Sequence, residues 1–370
     1  ALLSHPSAKM LPSPTQPSNS TGETIVDNTA ATAMGALILS LVFLLGFPGN
    51  IFVMWSIWAR ARKQNITTLL ILNLAIADGS LMALTPFFII YLVLKNWIFG
   101  NVMCKVLFYL CLLNMYASIY LITIMSLYRV LAIRWPHKIR IVTGQRTVMR
   151  VLAVMWVLVM LASIPALIYR DTRRSASRAA CDSYHDTNKD VVIQYMLELV
   201  LGFCLPYAII VVSYILILKR IRQTKFRRRI RSEKLILAIV VTFCAFWLPY
   251  HIVNMVQVGG ARLSYLHYQL NVIWHRGRAV AASIAFISSC ANPVLYFFAG
   301  KSYIRREGTA FMARLFERTG LDSATRKSRQ NSQNSRDYDK EANSVMLKEK
   351  QEESVTDTSS NKVKPVKIGR

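Results

Sequence analysis

Polar side chains occur in this chain inside long apolar stretches, and their types suit binding rather than bond-breaking. Asp78 is the only charged residue between positions 67 and 93. Asn114 and Ser118, four residues apart, share one helical face, and Ser288, Ser289 and Asn292 fall close together in a later stretch. Tyr116, Glu198, His251 and Asn254 add hydrogen-bonding groups to other apolar runs. Two basic groups stand apart from them: Arg170, Arg173, Arg174 and Arg178, then His275, Arg276 and Arg278. Arginine forks pair carboxylates bidentately, so such a rim above a hydrogen-bonding, aromatic interior suits an amphipathic acid with hydroxyls along its chain. Solvated charge or headgroup anchoring is the competing reading of the arginines, and a bond between helices that of His251 and Glu198. No His, Cys or carboxylate spacing suggests a metal site. Without a nucleotide loop, nucleophile elbow or paired carboxylates in one run, enzyme activity is not expected.

The elements that position these residues follow from composition. Of 370 residues 54% are hydrophobic and 17% charged, too apolar for one water-soluble core. The net charge of +26 does not indicate nucleic-acid binding, because the basic residues fall between apolar runs. Seven such runs cover about 33–58, 67–93, 106–128, 151–169, 191–218, 235–258 and 279–299. Each is near the ~20 residues that a helix needs to cross a bilayer, and strict alternation is missing, so membrane helices are expected. Arg60, Arg62 and Lys63, then Arg134, Lys138, Arg140, Arg146 and Arg150, then the dense run from Lys219 to Lys234 place three loops in the cytoplasm.

The same charge rule puts the N-terminal segment, 1–30, outside and disordered, with Asn19 of Asn19-Ser20-Thr21 as a glycosylation acceptor. Asn65-Ile66-Thr67 lies in an inner loop and is expected unmodified. No charged segment leads into a short apolar stretch, so no secretory leader is expected. Cys104 and Cys181 both fall on the oxidising side, where pairing them pins a loop over the bundle. Residues 31–300 form the membrane domain and 301–318 an amphipathic helix on the inner leaflet, contacting membrane lipids. Residues 319–370 read as a disordered tail whose Ser354, Thr356 and Thr358 are candidate kinase targets.

Gly49-Asn50, Leu74 to Asp78, Arg129, Trp156, Pro206 with Tyr214, Phe243-Trp247-Pro249 and Asn292-Pro293-Val294-Leu295-Tyr296 appear in order, one set for each run, with Arg129 at the inner end of the third. Together they resemble the rhodopsin-like G-protein-coupled receptors over roughly residues 30–318. The resemblance implies an all-α membrane protein: a seven-transmembrane helix bundle with an amphipathic cytoplasmic helix after the last span, in the plasma membrane. It implies heterotrimeric G proteins as partners, with receptor kinases and arrestin acting through the tail. Tyr128, Arg129, Tyr214, Trp247, Asn292, Pro293 and Tyr296 become switch residues. Asp78, Asn114, Ser118, Ser288, Ser289 and Asn292 hold either a sodium ion, as in the family, or a hydrogen-bonded polar core without one. One departure stands out, because the acid that usually precedes the arginine is Tyr128 here. Raised basal signalling or altered coupling follows.

Within the class, Asn114-Met115-Tyr116-Ala117-Ser118, the run from Phe246 to Asn254, Tyr169-Arg170 and Glu198 are similar to the leukotriene B4 receptors. That likeness implies a lipid-mediator ligand held by Tyr116, Arg170, Glu198, Asn254 and Arg278, chemoattractant signalling and inhibitory-type G proteins. Phe108 and Ala279 depart from the pattern, replacing an expected histidine and asparagine. An acidic peptide ligand, or a weakly signalling scavenger because of Tyr128, are the alternatives.

Overall fold

The computed structural model describes residues 29–60, 65–135, 144–175, 178–223, 230–262, 267–307 and 312. Uninterrupted runs of Leu, Ile, Val, Ala and Phe, with little charge to solvate, fold into helices whose backbone bonds are all internal, the only open-ended arrangement lipid tolerates. They are α1 (Thr29–Arg60), α2 (Ile66–Leu94) and α3 (Gly100–Arg134). Next come α4, in two segments Gln145–Ala162 and Ile164–Tyr169 that meet at Ser163, and α5, which runs Asn188–Leu199, a π-helical turn Val200–Cys204, then Leu205–Gln223. The last two are α6 (Ile230–Arg262) and α7 (His267–Glu307). Among the described residues these seven are long and apolar enough to cross a membrane.

Local signals set several ends. Asn65 caps α2 by accepting from Thr68 N at 2.8 Å, and Lys95 closes that helix in the left-handed region at φ 50. Thr187 and Asp190 form a capping box that starts α5. Pro206 has no N–H to return to the preceding turn; there Leu205 N–H reaches back five residues to Val200 O, which makes the π-helical turn. Helix continues through Pro249 and Pro293.

One core cluster runs through the middle of the bundle from Val53 and Leu74 past Tyr116 and Ile119 to Phe243, Trp247 and Tyr296. Small residues bring helices together: a Cβ on Gly46 would lie 2.7 Å from Met82 Sδ and 2.8 Å from Cys290 Cβ. Asn50 ties α1 to α7 through Ser289 O at 3.1 Å, and Trp156 ties α4 to α2 through Asn73 Oδ1 at 3.2 Å. Outward-facing Leu44, Leu45, Leu158, Val212 and Val241 stay exposed, an apolar belt suited to lipid.

Three features go beyond the apolar runs of the sequence. The expected seven-helix bundle carries one hairpin: β1 (Arg170–Ser175) and β2 (Arg178–Ser183) pair antiparallel with Thr172 opposite Cys181. Their polar six-residue stretches show no apolar alternation, and the hairpin is held by backbone bonds and by the Cys104–Cys181 disulfide. The helices are longer than the apolar runs, since Gly100 starts α3 six residues before the run at 106. The helix of span seven continues without a break past Lys301 to Glu307. Residues 308–311 and 313–318, the tail 319–370 and the N-terminal residues 1–28 with Asn19 lie outside the described residues.

Candidate functional site

Below the hairpin the helices surround a cavity. Its walls are apolar, with Leu39, Phe88, Phe108, Leu112, Ala282 and Phe286, and its deep end reaches Trp247 and Ala285. The polar lining is small: Arg170, Gln194, Glu198, Tyr250, Ser283 and Arg278. An apolar wall with a few converging polar groups suits an amphipathic molecule.

The two arginines expected on an open basic rim are not on one. Arg170 and Arg278 are buried and converge on Asp182, which the sequence reading did not single out. Arg170 Nη1 lies 3.5 Å and Arg278 Nε 3.9 Å from the same Oδ1. Arg170 also lies over the Phe108 ring at 3.7 Å, so the residue that departs from the family pattern serves as its cation–π platform. Arg278 donates to Asn254 Oδ1 at 2.7 Å and sits among the Tyr195, Tyr250 and Trp274 rings. Arg173, Arg174, Arg178 and Arg276 are exposed, and the His275 side chain lies outside the described set.

Asn254 extends this network to Glu198, donating through Nδ2 to Oε2 at 3.4 Å. Glu198 also accepts from Tyr250 at 3.0 Å and from Gln194 at 2.9 Å. Gln194 was missed, although its place one turn before Glu198 on α5 made the pairing readable. Its Oε1 is 2.6 Å from His185 Nε2. Burial holds the His185 imidazole below its ordinary pKa, partly offset by that hydrogen bond.

Tyr116 and His251 do not line the cavity. Tyr116 is wholly buried in the central core. His251 packs among Phe203, Trp247 and Tyr250, and among the described residues neither its ring nitrogens nor the Tyr116 hydroxyl find a hydrogen-bond partner. Asn254 does not line the cavity itself but bonds Arg278 and Glu198, which do. Ala279, the second departure, is part of the cavity wall, where a larger amide would take up space.

Trp247 at the deep end donates to Ser288 Oγ at 3.0 Å, which connects the cavity to a second polar group. There Asp78 is fully buried and accepts from Asn292 Nδ2 at 2.8 Å and from Asn114 Nδ2 and Ser118 Oγ, both at 3.3 Å. Ser289 donates to Asn114 Oδ1 at 3.4 Å. Among the described residues no Lys or Arg pairs with Asp78. A carboxylate satisfied by neutral donors, with serine and asparagine oxygens beside it, fits a small hard monovalent cation. At the far end of the bundle Arg129 is 2% exposed, and Tyr128, Tyr214 and Tyr296 are buried as well. Tyr214, Trp247 and Tyr296 share the central core cluster, and Pro293 packs on the bare Gly49 backbone.

A family model described as 7 transmembrane receptor (rhodopsin family) matches residues 49–296. Leukotriene B4 receptor 1 of Homo sapiens is 38% identical over 296 residues, 79% of this chain and 84% of the relative. Leukotriene B4 receptor 2 of Homo sapiens is 35% identical over 306 residues, 80% and 84%. The C3a anaphylatoxin chemotactic receptor of Oncorhynchus mykiss is 30% identical over 324 residues, 84% and 86%. These relatives are receptors and not enzymes, as the absence of a catalytic constellation in the sequence led one to expect. With seven membrane helices and matches over most of its length, the chain belongs to the rhodopsin family of seven-transmembrane receptors, multi-pass proteins of the plasma membrane that take a ligand and act on heterotrimeric G proteins.

Proposed function

We propose that the chain is a chemoattractant-type receptor for an acidic lipid mediator of the leukotriene B4 kind, signalling through inhibitory-type heterotrimeric G proteins. The observation that carries this reading is the cavity's division of labour. Arg170 and Arg278, with Gln194, Glu198, Tyr250 and Ser283, make up the polar lining, while most of the remaining wall is aliphatic and aromatic. A lipid acid pairs its carboxylate with the arginines, lays its chain on Phe88, Leu112 and Phe286, and offers hydroxyls to Glu198 and Tyr250. The hairpin faces outside, the Arg129 end faces the G protein, and receptor kinases and arrestin act through the tail. Sodium at Asp78 favours the closed packing and opposes agonist.

Removing either arginine tests the acid end. Arg170→Ala and Arg278→Ala should weaken leukotriene B4 roughly ten- to hundredfold, as a charge-assisted bond contributes about 1.5–3 kcal/mol, and should hardly affect its methyl ester. Equal losses for acid and ester would make the arginines structural. A peptide ligand is the second reading, favoured by the similarity to a C3a receptor. Competition of labelled leukotriene B4 by a peptide extract separates the two.

A further inference from the structure

Asp182 directly follows the disulfide cysteine Cys181 and is 6% exposed. Its place is fixed on both sides, by the disulfide and by the hairpin register that sets it opposite Asp171. Its Oδ1 accepts Ser183 N at 2.8 Å and is the oxygen on which Arg170 and Arg278 converge. The two guanidinium distances, 3.5 and 3.9 Å, are long for charge-assisted bonds, which run at about 2.7–2.9 Å. Neither fork is used bidentately, so each arginine keeps pairing capacity directed at the cavity it lines. With Glu198 bridged in through Asn254, the buried group brings two guanidinium and two carboxyl groups together.

An incoming carboxylate therefore does not meet two free cations. We propose that Asp182 is a tethered counter-ion which an acidic ligand must displace from Arg170 and Arg278, so that this loop residue sets how strongly the site prefers acids over neutral lipids. The proposal rests on the acidic-lipid reading for its ligand class. Its physical basis is competition. In a site shielded from water two carboxylates repel strongly when they share one cation pair. The disulfide and the hairpin limit how far Asp182 can retreat. An ester brings no charge, competes for nothing and is indifferent to Asp182.

Asp182→Asn removes the charge while keeping an Oδ1 for Ser183 N. Asp171→Asn is the matched control: it makes the same charge change in the same hairpin, and its side chain keeps an oxygen for Thr172 N, now at 2.9 Å. Leukotriene B4 and its methyl ester are measured by equilibrium binding on the full-length receptor in lipid nanodiscs. Asp182→Asn should raise affinity for the acid by roughly tenfold, while the ester and both ligands on Asp171→Asn stay within about twofold. Unchanged acid affinity, or acid and ester shifting together, would overturn the proposal. Acid binding gained by Asp182→Asn where the wild type has none supports the counter-ion and removes the native lipid-acid reading. Absence of acid binding in every form overturns both. Should the amide disturb the loop, Asp182→Ala carries the same comparison.

Discussion

Asp78 brings a carboxylate into the middle of the bundle with only neutral donors around it among the described residues, an arrangement that costs free energy unless it is used. If a sodium ion uses it, the ion stabilises the packing in which Asn114, Ser118 and Asn292 face one another. Asp78→Asn should then abolish the loss of agonist affinity that sodium chloride causes relative to choline chloride at equal ionic strength. A sodium effect that survives the substitution would place the ion elsewhere. Tyr128 is the second residue with an unusual role, since an acid there would stand beside Arg129. Tyr128→Asp should lower agonist-free nucleotide exchange about fivefold, if a partly buried pair adds about 1 kcal/mol to the closed state. Equal basal exchange in both forms, read by labelled GTP-analogue binding in membranes, would show that the tyrosine already closes the switch. Asp78 and its partners were legible because spacing within a helix and the order of the spans bring them together. Asp182 was not, because it meets Arg278 across almost a hundred residues of chain and only folding reveals the pairing. Phe108 read as a loss in sequence; its ring carries Arg170 in the structure.

At the scale of elements, the seven helices were legible because apolar runs of that length have few other fates. Their ends were less so, since backbone continues in helix past the apolar stretch wherever nothing terminates it, as α7 does beyond Phe298. The hairpin was missed because Arg170-Asp171-Thr172-Arg173-Arg174-Ser175 has the composition of a solvated loop. Packing between helices depends instead on single bare positions. At Gly46 a side chain would enter space held by Met82 and Cys290, two helices at once. Gly46→Leu should destabilise the receptor by about 1–3 kcal/mol through overpacking, seen as a lower melting temperature of purified protein. Gly259→Ala is the control, because its Cβ would meet only Leu270 Cδ1 at 3.4 Å. Equal melting of both variants would show that α1 can shift to make room.

The molecule as a whole is polarised, and two independent features agree on its direction. Lys and Arg crowd the segments at the Arg129 end, such as Lys219 to Lys234, which the positive-inside tendency retains in the cytoplasm. The Cys104–Cys181 disulfide and its hairpin lie at the opposite end, where an oxidising compartment is needed. On the orientation proposed above, the two Asn-x-Thr/Ser sequons fall on opposite sides. There Asn19, which precedes α1 in the sequence, belongs to the outer side, and Asn65, at the start of α2 with its carboxamide engaged in capping Thr68 N, to the inner. In mammalian cells the full-length receptor should run faster on a gel after N-glycosidase treatment, Asn19→Gln should lose that shift, and Asn65→Gln should keep it. An antibody to an epitope on the N-terminus should label intact cells whether or not Asn19 carries sugar. Loss of the shift in Asn65→Gln alone, or labelling only after permeabilisation, would invert the topology. It would put the basic loops outside and the arginine-lined cavity on the cytoplasmic face, and an extracellular mediator would no longer be the ligand to seek.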